Sequence, residues 1–257
     1  MVRIHPTAIV ESGALLGKDV CIGAFSIVEK NVSIGDGTLI ESSAVIRGRT
    51  TIGENNKISS FAVLGVRSQD LKDKNEPTEL LIGDGNTIRE FATIHLSTSL
   101  DNPTIVGDGC LIMSYVHIAH DCKIGDRVIL ANAVNLAGHI QIQDDVYMGG
   151  LSAGNQFTKI GKHAFIGGYS AVRKDVPPYT RGEGNPYRVI GINSIGLKRK
   201  GFSDECISAI KHIFKKFYYS KMSFSEAVKL VSEKTNLSPE QKVFVDFVKN
   251  ADRGISK

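Results

Sequence analysis

Ile112-Met113-Ser114-Tyr115-Val116-His117-Ile118-Ala119-His120-Asp121-Cys122-Lys123-Ile124 carries an aliphatic residue at every sixth position. A period of six fits neither the turn of an amphipathic helix nor the two-residue alternation of an ordinary strand. It fits very short strands joined by turns, each sending one aliphatic side chain inward, stacked as a parallel β-helix. Followed outward, the phase gives Val106, Ile112, Ile118, Ile124, Leu130, Leu136, Ile142, Met148, Gly154, Ile160, Ile166 and Val172, where Gly154 alone is not apolar and bulky. Toward the N-terminus it runs Ile4, Val10, Leu16, Ile22, Val28, Ile34, Ile40, Ile46, Ile52, Ile58 and Leu64, then Ile82, Ile88 and Ile94 after a polar interruption from Gly65 to Glu79. A second interruption, Ser97-Thr98-Ser99-Leu100-Asp101-Asn102-Pro103, precedes the long run.

Past the repeat, Asp175-Val176-Pro177-Pro178 stops the pattern, because successive prolines cannot donate to a strand ladder. A loop is expected through Asn193, then three helices: one from about Ser203 to Tyr219, one opening on the capping box Ser223-x-x-Glu226, and one opening on Ser238-Pro239-Glu240-Gln241. The organisation read from the sequence is therefore mainly β, with a β-helix over 1–190 and a small C-terminal helical subdomain over 191–257. So few helical residues rarely fold alone, and the subdomain is expected to pack on the prism or on a neighbouring subunit.

Composition narrows the setting. The chain holds 26 glycines and no Trp, which suits many tight turns rather than a large aromatic core. Its four cysteines, Cys21, Cys110, Cys122 and Cys206, form no C-x-x-C pair and read as free thiols of a reducing compartment. With no hydrophobic signal core after Met1 and no apolar run of membrane length, a cytoplasmic protein without a membrane span is expected. Residues 1–172 hold 14 Lys and Arg against 18 Asp and Glu, and residues 173–257 hold 17 against 9. That basic tail suits an acidic protein partner, an anionic membrane surface or a solvated face; aromatic residues do not interleave with it as a nucleic-acid surface requires.

The repeat resembles the hexapeptide-repeat family, which implies a left-handed parallel β-helix with three hexads, 18 residues, per coil. The resemblance alone implies the handedness. With that coil length, residues 18 apart are vertical neighbours about 5 Å apart. His120 then lies beneath Gly138, which lies beneath Gln156; Asp121 lies beneath His139, and His117 shares a column with Asn135.

Four of the seven histidines, His95, His117, His120 and His139, fall near this patch, and none occupies an inward position of the repeat. His120 with Asp121 beside it makes a general base and its orienting carboxylate. The rival is zinc held by His95, His117 and His120, as in the gamma-class carbonic anhydrases. Those proteins space two ligands five apart, whereas His117 and His120 are three apart, and no metal is expected. Cys122, two places before Ile124, is expected to face inward and to take no part.

The segments His117-Ile118-Ala119-His120-Asp121-Cys122, Leu136-Ala137-Gly138-His139, Gln69-Asp70-Leu71-Lys72 and Gly196-Leu197-Lys198-Arg199-Lys200-Gly201-Phe202 are similar to those of the UDP-N-acetylglucosamine O-acyltransferases. The resemblance spans the whole chain. It implies a homotrimer with active sites between adjacent prisms, acting in the first step of lipid A synthesis. A (R)-3-hydroxyacyl chain would pass from acyl carrier protein to the sugar 3-position. The resemblance implies His120 as general base, Asp121 as its acid, and the Gly138 N–H as oxyanion donor. It implies substrate contacts by Asp70, Leu71, Lys72, His95, His117, His139, Gln156, Asn193, Arg199 and Lys200. No cofactor is implied, since the thioester arrives on the carrier's phosphopantetheine.

Three positions depart from the family's usual pattern: Asn155 before Gln156-Phe157 in place of His, Pro186 after Gly184-Asn185 in place of His, and Lys200 in place of Arg. They leave acyl-chain length open, and leave open N-acylation of a 3-amino sugar nucleotide as an alternative to O-acylation. A non-catalytic or zinc-binding hexapeptide protein is the reading from another class.

Overall fold

The computed structural model of the chain describes residues 1–220, 222–232 and 236–257. Most hexads form a two-residue strand whose second residue points inward, as in Leu111–Ile112, His117–Ile118 and Lys123–Ile124. Consecutive strands do not pair with one another. Each pairs in parallel with the strand three hexads on, so that Ile94 registers with Ile118, Ile118 with Leu136, and Leu136 with Gly154. Among the described residues three sheets result, A, B and C, of eleven, nine and eight strands, parallel but for the last strand of A, and they form the faces of a prism. Strands of sheet A are represented by Ile112, those of B by Ile118 and those of C by Ile124.

The chain turns most corners with the residue three places after the inward aliphatic in the left-handed region: Asp121, His139 and Phe157 at the B–C corner have φ of 59°, 61° and 65°. Their side chains leave from the corner and stack coil over coil. A short polar side chain such as Asp tolerates this conformation, and a β-branched one does so poorly. Among the described residues, none of the left-handed non-glycine residues is Val, Ile or Thr.

The inward aliphatics form one continuous core along the axis. Gly154, the exception in the repeat, has a steric cause: a Cβ there would come within 2.7 Å of Ile140 Cδ1, so Ile140 already fills that space. The other departure is at the N-terminal end, where Ile4, expected inside, is 44% exposed. Among the described residues no coil lies beneath its own to cover it.

Both interruptions leave the prism without breaking its register. Ile82 still pairs with Ile52 below and Val106 above. Beyond the prolines the expected loop is instead an antiparallel hairpin, Thr180–Glu183 with Arg188–Ile192, whose first strand adds in parallel to Phe165–Ile166 of sheet A. The glycine, asparagine and proline of Gly184-Asn185-Pro186 form its turn rather than a longer loop. The open edge of sheet A carries unpaired backbone groups, and pairing a further strand there satisfies them.

Among the described residues four helices follow where three were expected: α1 Ser194–Arg199, α2 Asp204–Tyr218, α3 Phe224–Ser232 and α4 Pro239–Lys249. The additional one, α1, has six residues, too few to show a helical period. Ser203 caps α2, Ser223 and Glu226 pair at the start of α3, and Ser238 with Gln241 completes the capping box of α4. Ile210, Ile213 and Phe217 of α2 pack with Phe244 and Val248 of α4 in a second core that also takes Tyr179 and Ile192.

Asp175 joins the two cores. Fully buried, its carboxylate accepts the N–H groups of Lys159 on the prism and of Asp252 and Arg253 in the C-terminal segment. Among the described residues no helix is long and apolar enough to cross a membrane.

Coil stacking makes a direct prediction. Ile118→Ala, in the middle of the axis, lowers the unfolding free energy by about 2–5 kcal/mol in denaturant titration, whereas Ile4→Ala on the uncovered first coil lowers it by less than about 1.

Candidate active site

His120 and Asp121 are the second and third residues after the inward Ile118, which puts both at the B–C corner. Asp121 is buried, and burial alone would push its carboxyl pKa up. Hydrogen bonds from Thr98 and His120 outweigh that and hold it below the usual carboxylate range. The Thr98 hydroxyl donates to Oδ2 at 2.7 Å and the Thr98 N–H to Oδ1 at 3.1 Å. His120 Nδ1 lies 2.7 Å from the same Oδ2. An ionised carboxylate there keeps the proton on Nδ1 and leaves Nε2 with a free lone pair.

Nε2 faces a cleft of about 650 Å³ over sheet B that is lined by Asp70, Leu71, Lys72, His117, His120 and Gln156, among others. Asp70 Oδ2 stands 3.9 Å from Nε2. The first interruption of the repeat supplies this wall: Asp70 Oδ1 accepts the Lys72 N–H at 2.9 Å and so turns the loop back, with Leu71 fully exposed at its tip.

Gly138 lies one coil above His120. A Cβ at 138 would come within 2.4 Å of His120 Cε1 and 2.5 Å of Nε2, so the imidazole occupies the space that a side chain would take. Among the described residues, the Gly138 N–H donates to no group. His139, next along, stacks on Phe157 with ring centroids 4.6 Å apart and meets His120 edge-on at 5.1 Å. Its Nε2 is 3.6 Å from Asp121 Oδ2.

His117 is held by a 2.7 Å contact between its Nδ1 and the Thr93 hydroxyl. His95 is buried edge-on to it at 4.8 Å, and its Nδ1 has no partner. Burial, with His117 and His120 nearby, pushes the His95 imidazole pKa down to about 4, and burial lowers that of His117 as well. Both are therefore neutral polar groups beside the cleft at neutral pH.

Asn193, Arg199 and Lys200 are not in this cleft. They line a second one, of about 710 Å³, over sheet A. Asn193 caps α1 by accepting the Gly196 N–H and also donates to the His163 carbonyl at 3.0 Å. Lys200 Nζ donates to Asp145 Oδ1 at 2.6 Å, and the Arg127 guanidinium donates to both oxygens of Asp145. Burial opposes the Asp145 charge, and the bonds from Arg127 and Lys200 prevail, holding its carboxyl pKa down.

Sequence reasoning missed Arg127, Asp145 and His163 here. They are spaced 18 apart, so the column arithmetic that paired His120 with Gly138 would have found them at the C–A corner. It also missed Thr98, whose contact crosses an insertion that no period describes.

Cys122 faces inward as expected: it is fully buried, and burial pushes its thiol pKa up to about 12, far from a nucleophilic thiolate at neutral pH. The geometry also weighs against a metal. Ligand atoms of His120, Asp121 and His139 fall within 4.8 Å of one another, but His120 Nδ1 and Asp121 Oδ2 already face each other, and Oδ2 also takes the Thr98 hydroxyl. In the set His95, His117 and His120, the Nδ1 of His117 is engaged by Thr93.

Comparison with known proteins identifies the family and the fold. A family model described as UDP-N-acetylglucosamine O-acyltransferase, domain 2, matches residues 175–256. A bacterial transferase hexapeptide model matches 31–65 and 103–138. The acyl-[acyl-carrier-protein]–UDP-N-acetylglucosamine O-acyltransferase of Burkholderia mallei is 50% identical, with 99% of each chain covered. The solved UDP-N-acetylglucosamine acyltransferase of Campylobacter jejuni superimposes with a TM-score of 0.92 at 36% identity, covering 99% of both chains. That of Francisella novicida does so with a TM-score of 0.95 at 38% identity, covering 100% of this chain and 94% of the other. The fold is thus the left-handed parallel β-helix of the hexapeptide transferases.

Two outcomes follow from the site. Gly138→Ala pushes the His120 ring aside and lowers turnover at least ~100-fold while far-ultraviolet circular dichroism stays native. In the native protein His95 binds a proton only near pH 4, whereas unfolded it does so near 6.5. The unfolded state therefore binds more protons in between, and stability falls as pH drops from about 6.5 toward 4. In His95→Gln, denaturant titrations across that range show a smaller fall.

Proposed function

The chain belongs to the UDP-N-acetylglucosamine O-acyltransferase family, and from that membership we propose that neutral His120 is the general base of its reaction. The reaction transfers an acyl group from acyl carrier protein to UDP-N-acetylglucosamine, the first step of lipid A biosynthesis. The observation that carries the assignment is the 2.7 Å pairing of His120 Nδ1 with the buried Asp121 carboxylate, which leaves Nε2 open to the cleft.

Nε2 takes the proton of the sugar 3-hydroxyl as that oxygen attacks the thioester carbonyl of a (R)-3-hydroxyacyl chain. The unengaged Gly138 N–H accommodates the oxyanion of the tetrahedral intermediate. When the C–S bond breaks, the His120 imidazolium returns its proton to the leaving thiolate. Asp121 stays ionised and offsets the imidazolium charge in between. No cofactor takes part, because the phosphopantetheine thioester arrives on the carrier protein.

Asp70, Leu71, Lys72, His95, His117, His139 and Gln156 surround the acceptor, while Asn193, Arg199 and Lys200 bind the nucleotide and the carrier's phosphopantetheine. These two groups lie over different faces of one prism. A neighbour that sets its sheet A beside this sheet B brings them together. Repeating that contact around a threefold axis closes a homotrimer with three sites between chains. The four free cysteines accord with a cytoplasmic location.

Purified protein given (R)-3-hydroxyacyl-loaded acyl carrier protein and either UDP-N-acetylglucosamine or its 3-amino analogue, with products read by mass, forms the O-acyl product; product from the amine alone would overturn the acceptor. His120→Ala loses at least ~100-fold and Cys122→Ala keeps its activity. Co-expressed His120→Ala and Arg199→Ala chains regain activity above either alone, since some interfaces of a mixed trimer combine two intact halves. No regain would overturn the shared site.

A further inference from the structure

We infer that Thr98, on the second interruption of the repeat, is a positioning residue that sets the basicity of the His120–Asp121 pair. This deepens the reading of His120 as general base and rests on it. The interruption leaves the prism after the strand Thr93–His95 and returns at Thr104–Val106. It is held at both ends. The Thr78 hydroxyl donates to the Ser97 carbonyl at 2.6 Å, and the Lys123 ammonium donates to the Pro103 carbonyl. Within it the Ser97 hydroxyl donates to the Ser99 carbonyl at 3.0 Å.

From this fixed loop Thr98 turns back onto Asp121 with both of its donors, the N–H to Oδ1 at 3.1 Å and the hydroxyl to Oδ2 at 2.7 Å. The hydroxyl therefore shares with His120 Nδ1 the one oxygen that faces the imidazole. A donor on Oδ2 draws charge away from His120 and weakens the carboxylate's hold on the imidazolium. Without it, more of that charge is available to Nδ1–H, and the imidazolium holds its proton to higher pH.

The other groups around the pair are unchanged by substituting Thr98. His139 Nε2 lies 3.6 Å from Oδ2, and Lys123 on the next strand acts on Asp121 through its charge. Asp70 Oδ2 lies 3.9 Å from His120 Nε2, and His117 lines the cleft with the buried His95 edge-on to it. A difference between Thr98 variants thus reports the hydroxyl.

The test is the pH dependence of kcat/KM for acyl transfer by Thr98→Val, Thr98→Ala and Thr98→Ser, each first shown by thermal melting to be folded. The acidic limb moves up by about half a pH unit in Val and Ala, which lack the hydroxyl, and stays in place in Ser. Thr98→Ala is the smaller change and is read if Thr98→Val does not fold. A limb that coincides with the unsubstituted protein in either hydroxyl-free variant overturns the inference, as does a limb that moves as far in Ser as in Val. His120→Ala, assayed alongside, separates the two readings. Full activity there overturns the base itself. An inactive His120→Ala together with an unmoved Thr98→Val limb overturns only the role of Thr98.

Discussion

Everything in this molecule depends on the hydrogen-bonded register of one coil upon the next. Two-residue strands are too short to hold a shape alone. Stacked in parallel, each donates to the coil above and accepts from the coil below, and the inward aliphatics close one continuous axis. The same register makes residues 18 apart in sequence into vertical neighbours. His120 meets Gly138, Asp121 meets His139, and Arg127 meets Asp145 without any loop having to bring them together.

That rigidity suits a site in which one imidazole must keep a fixed tautomer. Asp121 sits in a left-handed corner, so its carboxylate turns back along the prism edge to reach its neighbour. It stays ionised although buried, because donors from Thr98 and His120 surround it. His95 and His117 are buried without such a carboxylate and remain neutral. Of these three nearby histidines, His120 has a carboxylate beside its Nδ1, and that contact fixes its tautomer.

Much of this was legible in the sequence, and the failures have specific causes. The six-residue period marked the strands, and adding 18 placed Gly138 over His120. The hairpin Thr180–Glu183 with Arg188–Ile192 lies in a stretch rich in Gly, Asn and Arg, a composition that points to a loop. Helix α1 went unseen because six residues show no period. Ile4 carries the right residue type and is exposed because it lies on the terminal coil. Gly154 looked like a fault in the repeat until Ile140 was seen to fill its place.

The sequence by itself determined the repeat and its phase, because a hydrophobic period is a property of the chain read locally. Tertiary structure alone decided that Thr98 reaches Asp121 across an insertion, that Lys200 is bound to Asp145, and that the two clefts lie over different faces. Those contacts join residues with no fixed spacing, through loops and a hairpin whose paths depend on what they pack against. No period in the chain encodes such a path.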